Sequence, residues 1–265
     1  MPDDALGPEI VEARNGALRV TRRAEIPLDR VLEVLRAPGE LLKASRKSET
    51  LRVNDWVVKR SRKEGGLGVL KHTARRTRYR QGWEAALHLE RHGVPIPLAR
   101  AYVERSRFGI VFGNVMMMDY LDGCVDVEAF ADGLLRAGAS DAEIQGYLER
   151  LAETVNVLCS SGAYHSDLAG KNILTPDGER FYFIDLDGIV LNRPYAEERR
   201  LQNHIQLYDS FIDRLGDAYL EPFIRQMLPR PGRLQSWMAQ VKSGQAVRRA
   251  RTEAIWAKQG GRRQG

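Results

Sequence analysis

The sequence predicts an α+β fold in two lobes, a small β-rich one followed by a compact and mostly helical one. Three observations predict it. Alternating apolar residues on either side of Asn54-Asp55 read as a hairpin early in the chain. Beyond Ser140 the apolar residues recur at three- and four-residue steps, the period of helices. Between these regions and the last helices, Tyr164–Asp187 reads as a polar loop, a strand, a turn and a second strand. With 265 residues, 43% of them hydrophobic, the chain can bury a sizeable core. No repeat of fixed period is visible. The expected division is an N-terminal extension over 1–24, a first lobe over 25–120, a second lobe over 121–241 and a basic tail over 242–265.

In chain order, residues 50–60 give strand, turn and strand, with Lys59 on the second strand. Trp83, Ala86, Leu87 and Leu89 fall at helical spacing from about Thr77 to His92, and Gly93, Pro95 and Pro97 end the pattern. Leu98–Val103 and Phe108–Met118 read as strands, and the polar group from Asp119 to Gly123 as a linker. Ser140 or Asp141 caps a long helix to about Ser160, carrying Ile144, Leu148, Leu151, Val155 and Leu158. A further helix runs from about Ala196 to Leu215, and a final helical region precedes the basic tail.

Charge and cysteine content narrow the class. The net charge of +6 is concentrated in Lys242, Arg248, Arg249, Arg251, Lys258, Arg262 and Arg263, opposed in that segment by Glu253. A second basic block surrounds Lys59 and runs to Arg80. Such clusters attract phosphate-bearing partners, while a solvated face with a frayed end is the plain alternative for the tail. Cys124 and Cys159 lie far apart without metal-ligand spacing, which argues against a zinc site or a disulfide framework. The acidic start lacks the basic and apolar regions of an export signal, and Phe108–Leu121 is too short and interrupted to span a bilayer. A cytoplasmic protein, soluble or peripheral, is expected.

The chemistry concentrates in YHSDLAGKNILTPDGERFYFIDLD, residues 164–187. Asp167 and Asn172 have the separation of the kinase catalytic loop, H-x-D-x-x-x-x-N, and the second strand delivers Asp185. Phosphoryl transfer needs this set because the migrating group carries several negative charges that hard oxygen ligands must help a metal to neutralise. Asn172 and Asp185 suit Mg²⁺, with Asp187 as competitor or second ligand. Asp167 would orient the acceptor hydroxyl and take its proton, and Lys171 would contact the γ-phosphate. His165 reads either as a base or as a brace for loop backbone groups. Upstream, Val57-Val58-Lys59 resembles the strand whose lysine holds the α- and β-phosphates of ATP, with Glu84 as helix partner and Glu90 as fallback. No glycine-rich loop precedes Lys59; Ser45, Lys47 and Ser48 occupy its place as phosphate-contacting candidates. Gly65-Gly66-Leu67-Gly68 follows the lysine strand and reads as a connection to the helix.

With VVKR, Arg75-Arg76, GWEAALHLERHGVPIPLA, HSDLAGKNIL, FYFIDLDGI and RLQNHIQLYDSF, the chain resembles the lipopolysaccharide kinase (Kdo/WaaP) family of the protein-kinase-like superfamily. The resemblance implies a bilobal protein-kinase-like fold and an ATP- and Mg²⁺-dependent kinase. It implies as acceptor a sugar hydroxyl of the lipopolysaccharide inner core, Kdo or heptose, at the cytoplasmic membrane face. Lys59 and Glu84 would form the nucleotide-holding pair, Asp167 the catalytic carboxylate, and Asn172 and Asp185 the metal ligands. Partners would be the core glycan or glycolipid and, through the basic tail, an anionic membrane surface, with nucleic acid not expected. The competing readings are a kinase of the same fold acting on protein or a small molecule of the aminoglycoside type, and a pseudokinase binding module.

Overall fold

The computed structural model describes residues 8–45, 48–61, 77–108, 110–191 and 196–260. Lys47, Gly65 to Gly68 and Arg75-Arg76 lie outside the described residues. The chain divides into two compact units, one formed by 1–123 with 183–191, the other by 124–182 with 192–265.

The first unit is organised on a seven-stranded sheet in the order β1-β2-β6-β7-β5-β4-β3. Its strands are β1 (Ile10–Asn15), β2 (Leu18–Arg23), β3 (Glu40–Ala44), β4 (Ser48–Val53), β5 (Trp56–Ser61), β6 (Ala99–Arg107) and β7 (Ile110–Asp119). Every neighbouring pair is antiparallel. The stretch expected as an N-terminal extension thus carries two strands of this sheet. Asn54 takes φ 55° at the β4–β5 turn, which the short polar side chain of asparagine tolerates. Alternation divides the sheet faces. Leu51, Val53, Trp56, Val58, Ala101, Val103 and Met117 pack with Val31 and Val34 of helix α1 (Leu28–Arg36). The intervening residues, Lys59 and its cross-strand partner Met116 among them, point to the opposite face. Helix α2 (Arg78–Arg91) covers that face, since a side chain at Gly82 would meet Met116 Sδ at 3.1 Å. Thr77 caps α2 by accepting from Arg80 N, and its hydroxyl lies 2.8 Å from that of Tyr102.

The second unit is mostly helical. A short strand, β8 (Val125–Asp126), leads into α3 (Val127–Arg136), capped by Asp126. Helix α4 (Asp141–Ser160) starts with a capping box of Ser140 and Glu143, and buries Ile144, Leu148, Leu151, Val155 and Leu158. Strand β9 (Tyr164–His165) opens the polar loop, and β10 (Ile173–Thr175) pairs antiparallel with β8. Among the described residues three further α-helices follow: α5 (Glu197–Leu215), α6 (Asp217–Gln226) and α7 (Leu234–Gly260). Helix α7 takes in most of the segment read from sequence as a tail. It packs on α5 through Trp237, with Met238 and Val241 also buried, and Gly244 comes so close to Ile205 that a Cβ would overlap its side chain. Trp237 Nε1 donates to His204 Nδ1 at 2.9 Å, and burial, with Arg200 nearby, pushes the imidazole pKa down to about 3.

Candidate active site

In the first unit the candidate residues gather around Lys59. Its ammonium donates to Asp185 Oδ1 at 2.9 Å and to Asp187 Oδ1 at 3.4 Å. Asp185 ends the apolar run Tyr182-Phe183-Ile184 and takes φ 60°, ψ 43°, a left-handed conformation that costs a non-glycine residue about 1 kcal/mol. A single tight turn, Leu186–Gly188, follows and turns Asp187 inward, where its side chain is only 2% exposed. Helix α2 passes close by: a Cβ on Gly82 would lie 3.3 Å from Asp187 N. Arg78, one turn before Gly82, forms an ion pair with Asp187 through Nε. Among the described residues the ion pairs of Lys59 are with Asp185 and Asp187, and not with Glu84 as the sequence leads one to expect. Glu84 lies two residues, about 200° of helix rotation, beyond Gly82 and so leaves the face that meets Asp187. Its Oε1 accepts from Arg80 Nε at 3.2 Å. Glu90, the fallback, pairs with Arg23 of β2.

Ser45 and Ser48 form the β3–β4 turn where a glycine-rich loop was sought. Ser45 N donates to Ser48 O at 2.8 Å, Ser48 N donates to Ser45 Oγ at 3.1 Å, and the two hydroxyls lie 2.9 Å apart. One backbone bond and the two serine side chains thus tie the ends of the two strands together.

In the second unit the polar loop is fixed from several sides. Asn172 Nδ2 donates to Asp167 O at 2.8 Å and to Asp167 Oδ2 at 3.1 Å, and Lys171 Nζ lies 3.3 Å from the same Oδ2. His165 is fully buried; its Nδ1 accepts from Asp167 N at 3.2 Å, a bracing geometry. Helix α5 holds the loop along one face. Asn203 Nδ2 donates to His165 O (2.8 Å), Gln206 Nε2 to Ser166 O (2.9 Å), Gln206 Oε1 accepts from Leu168 N (2.9 Å), and Ser210 Oγ accepts from Gly170 N (2.8 Å). From α3, Glu128 Oε1 accepts from Lys171 N at 3.2 Å, and a Cβ at Gly170 would stand 2.5 Å from Glu128 Cγ. Downstream, Asp177 caps its turn; the backbone N–H groups of Arg180 and Glu179 hold its pKa down at about 2.

The donor chemistry fits a divalent cation. Asp185 and Asp187 supply hard anionic oxygens, paired here with Lys59 and Arg78. In the second unit the Asn172 amide nitrogen is spent on Asp167, which leaves its carbonyl oxygen as the hard ligand atom.

Sequence reading missed three contributors. In the sequence Arg78 and Arg248 stand only as members of basic clusters; in the structure they meet Asp187 and Asp167 respectively. The stripe of Asn203, Gln206 and Ser210 was overlooked, although buried polar residues at helical steps among apolar ones mark a helix face that satisfies a loop backbone.

A family model described as lipopolysaccharide kinase (Kdo/WaaP) family matches residues 39–226. No match was found among curated proteins. Among solved structures, "WaaP in complex with acyl carrier protein" is similar at 20% identity, covering 81% of this chain and 90% of that one, with a TM-score of 0.64. A glucosamine kinase is similar at 15% identity over 91% and 80% of the two chains, TM-score 0.42. The PknI kinase domain of Mycobacterium tuberculosis is similar at 13% identity over 77% and 93%, TM-score 0.41. The fold is a protein-kinase-like α+β fold.

Proposed function

The chain belongs to the lipopolysaccharide kinase (Kdo/WaaP) family, and we propose that it phosphorylates a sugar hydroxyl of the lipopolysaccharide inner core, on Kdo or heptose, at the cytoplasmic membrane face. It is a phosphotransferase, and membership of a kinase family implies ATP as donor. What most supports the reading at residue level is the clamp of Asn172 on Asp167, which holds a half-exposed carboxylate in one orientation within the matched region.

In this reading Asp167 accepts the proton of the acceptor hydroxyl as the new P–O bond forms and the bond from γ-phosphorus to the ADP oxygen breaks. Lys171, on the same carboxylate, balances charge on the transferred group. Lys59 holds the α- and β-phosphates, competing with its present carboxylate partners. Asn172 Oδ1 and Asp185 would hold Mg²⁺, with Asp187 beside Asp185; bound there, the ion would neutralise phosphate charge. Ser45 and Ser48 offer hydroxyls to the phosphates from a turn they close themselves. No helix of the described residues is long and apolar enough to cross a membrane, and the basic residues of α7 supply a contact for an anionic surface in this reading. The WaaP structure is a complex with acyl carrier protein, and a protein partner of that kind belongs to the same reading.

The test is transfer of labelled phosphate from ATP to separate pools of inner-core oligosaccharide, aminoglycoside and protein. Label is expected in the oligosaccharide and should fall by about 10²-fold or more in Asp167→Asn. Label in protein alone, or undiminished transfer by Asp167→Asn, would overturn the assignment.

A further inference from the structure

Helix α7 lies beyond the residues matched by the family, yet it places a guanidinium beside the candidate catalytic carboxylate. Arg248 Nη2 stands 3.8 Å from Asp167 Oδ1, within ion-pair reach but longer than a hydrogen bond. The two oxygens of Asp167 are thereby distinguished. Oδ2 carries Asn172 and Lys171, whereas Oδ1 faces Arg248.

The arginine is held from behind. Its Nε donates to Asp209 Oδ2 at 3.1 Å, and Asp209 Oδ1 also receives Gln245 Nε2 at 3.1 Å and Arg249 Nε at 2.7 Å. Arg249 reaches on to both oxygens of Asp213, at 3.0 and 2.8 Å, and these carboxylates raise its pKa further, fixing its charge. The close passage of Gly244 over Ile205 sets the height of this part of α7. Arg248 is therefore anchored at one edge of its planar fork, and among the described residues no hydrogen bond takes its η nitrogens. A third of the side chain remains exposed. A fixed guanidinium with unspent donors beside the group that engages a hydroxyl is suited to a planar or tetrahedral oxyanion.

We propose that Arg248 is an acceptor-specificity residue: its η nitrogens bind an anionic group, carboxylate or phosphate, carried by the sugar whose hydroxyl Asp167 engages. The inference rests on the function proposed above and adds to it a residue from outside the matched family region. Lys171 serves the transferred phosphoryl group, and Arg248 serves the acceptor, one cation on each side of one carboxylate. Asp209 is the positioning residue that holds Arg248.

The experiment compares wild type with Arg248→Gln and Arg248→Lys on inner-core oligosaccharide that is intact, methyl-esterified at its carboxylates, or stripped of its phosphates. For wild type the acceptor KM should rise roughly tenfold on one of the treated substrates, the value of one charged pair at about 1.4 kcal/mol, and the substrate that suffers identifies the source of the anion. Arg248→Gln should show the raised KM on intact acceptor and little discrimination among the three, with Arg248→Lys in between. Inorganic phosphate should compete with acceptor in wild type and lose that competition in Arg248→Gln. A lower kcat with unchanged acceptor KM in both variants would overturn the proposal and leave Arg248 a brace for Asp167. Equal use of all three acceptors by wild type would also overturn it. Absence of transfer to any glycan by wild type would instead sink the proposed function, and this inference with it.

Discussion

Acid should loosen the junction between α5 and α7 through one imidazole. His204 is fully buried, accepts from Trp237 Nε1 at Nδ1, and has its pKa pushed from 6.5 to about 3, mainly by burial and secondarily by Arg200. The folded state therefore keeps His204 neutral where the unfolded chain protonates it. Because the folded value is depressed, the stabilisation is complete above about pH 6.5 and is lost as pH falls toward the folded value near 3. Well inside that window each pH unit removes about 1.4 kcal/mol, so lowering pH from about 6.5 to about 4.5 should remove about 2 kcal/mol. The clean comparison is His204→Asn, whose amide oxygen can still accept from Trp237 but cannot titrate. Urea unfolding of both proteins across this range subtracts the carboxylates they share. Wild type should lose about 2 kcal/mol more than the variant; parallel pH profiles would refute the assignment of a buried neutral imidazole at this position.

Two further outcomes follow from backbone and packing geometry. Asp185→Asn and Asp185→Ala should both abolish most phosphoryl transfer, but the alanine variant should also be less stable than the asparagine one by about 1 kcal/mol in thermal melts, because asparagine tolerates the left-handed conformation at φ 60° and alanine does not; equal melting would count against that conformation. Gly244→Ala should gain about 1 kcal/mol of helix propensity yet destabilise overall, since the new methyl overlaps Ile205 Cδ1 and crowds Cγ1 at an overpacking cost of about 1–3 kcal/mol; adding Ile205→Val, which removes Cδ1 and keeps Cγ1, should recover part of the loss in a double-mutant comparison.

Much of this architecture is legible in the amino-acid order because its signals are local. The hairpin around Asn54-Asp55, the helix over 78–91 and the capped helix over 141–160 follow from periodicity, turn chemistry and caps, each encoded within a few residues. Within the polar loop, the spacing of Asp167, Lys171 and Asn172 likewise fixes their neighbourhood, since residues so close in sequence on a tight turn must meet.

What the tertiary structure decided is the long-range pairing of charges. Lys59 sits on a strand in either case, but which carboxylate it meets depends on how a loop more than a hundred residues later is laid against the sheet; Asp185 and Asp187 arrive there, while helix rotation turns Glu84 to Arg80. The basic end of the chain illustrates the same divide. Its charge is plain in composition, whereas the contacts of Arg248 and Arg249 with Asp209 require two helices packed at the distance that Gly244 permits. Periodicity specifies which face of a helix is apolar; the partner of a charged side chain is set only when another element is packed against it, because hydrogen-bonded ion pairs need both groups within a few ångströms and that proximity has no record in the local sequence.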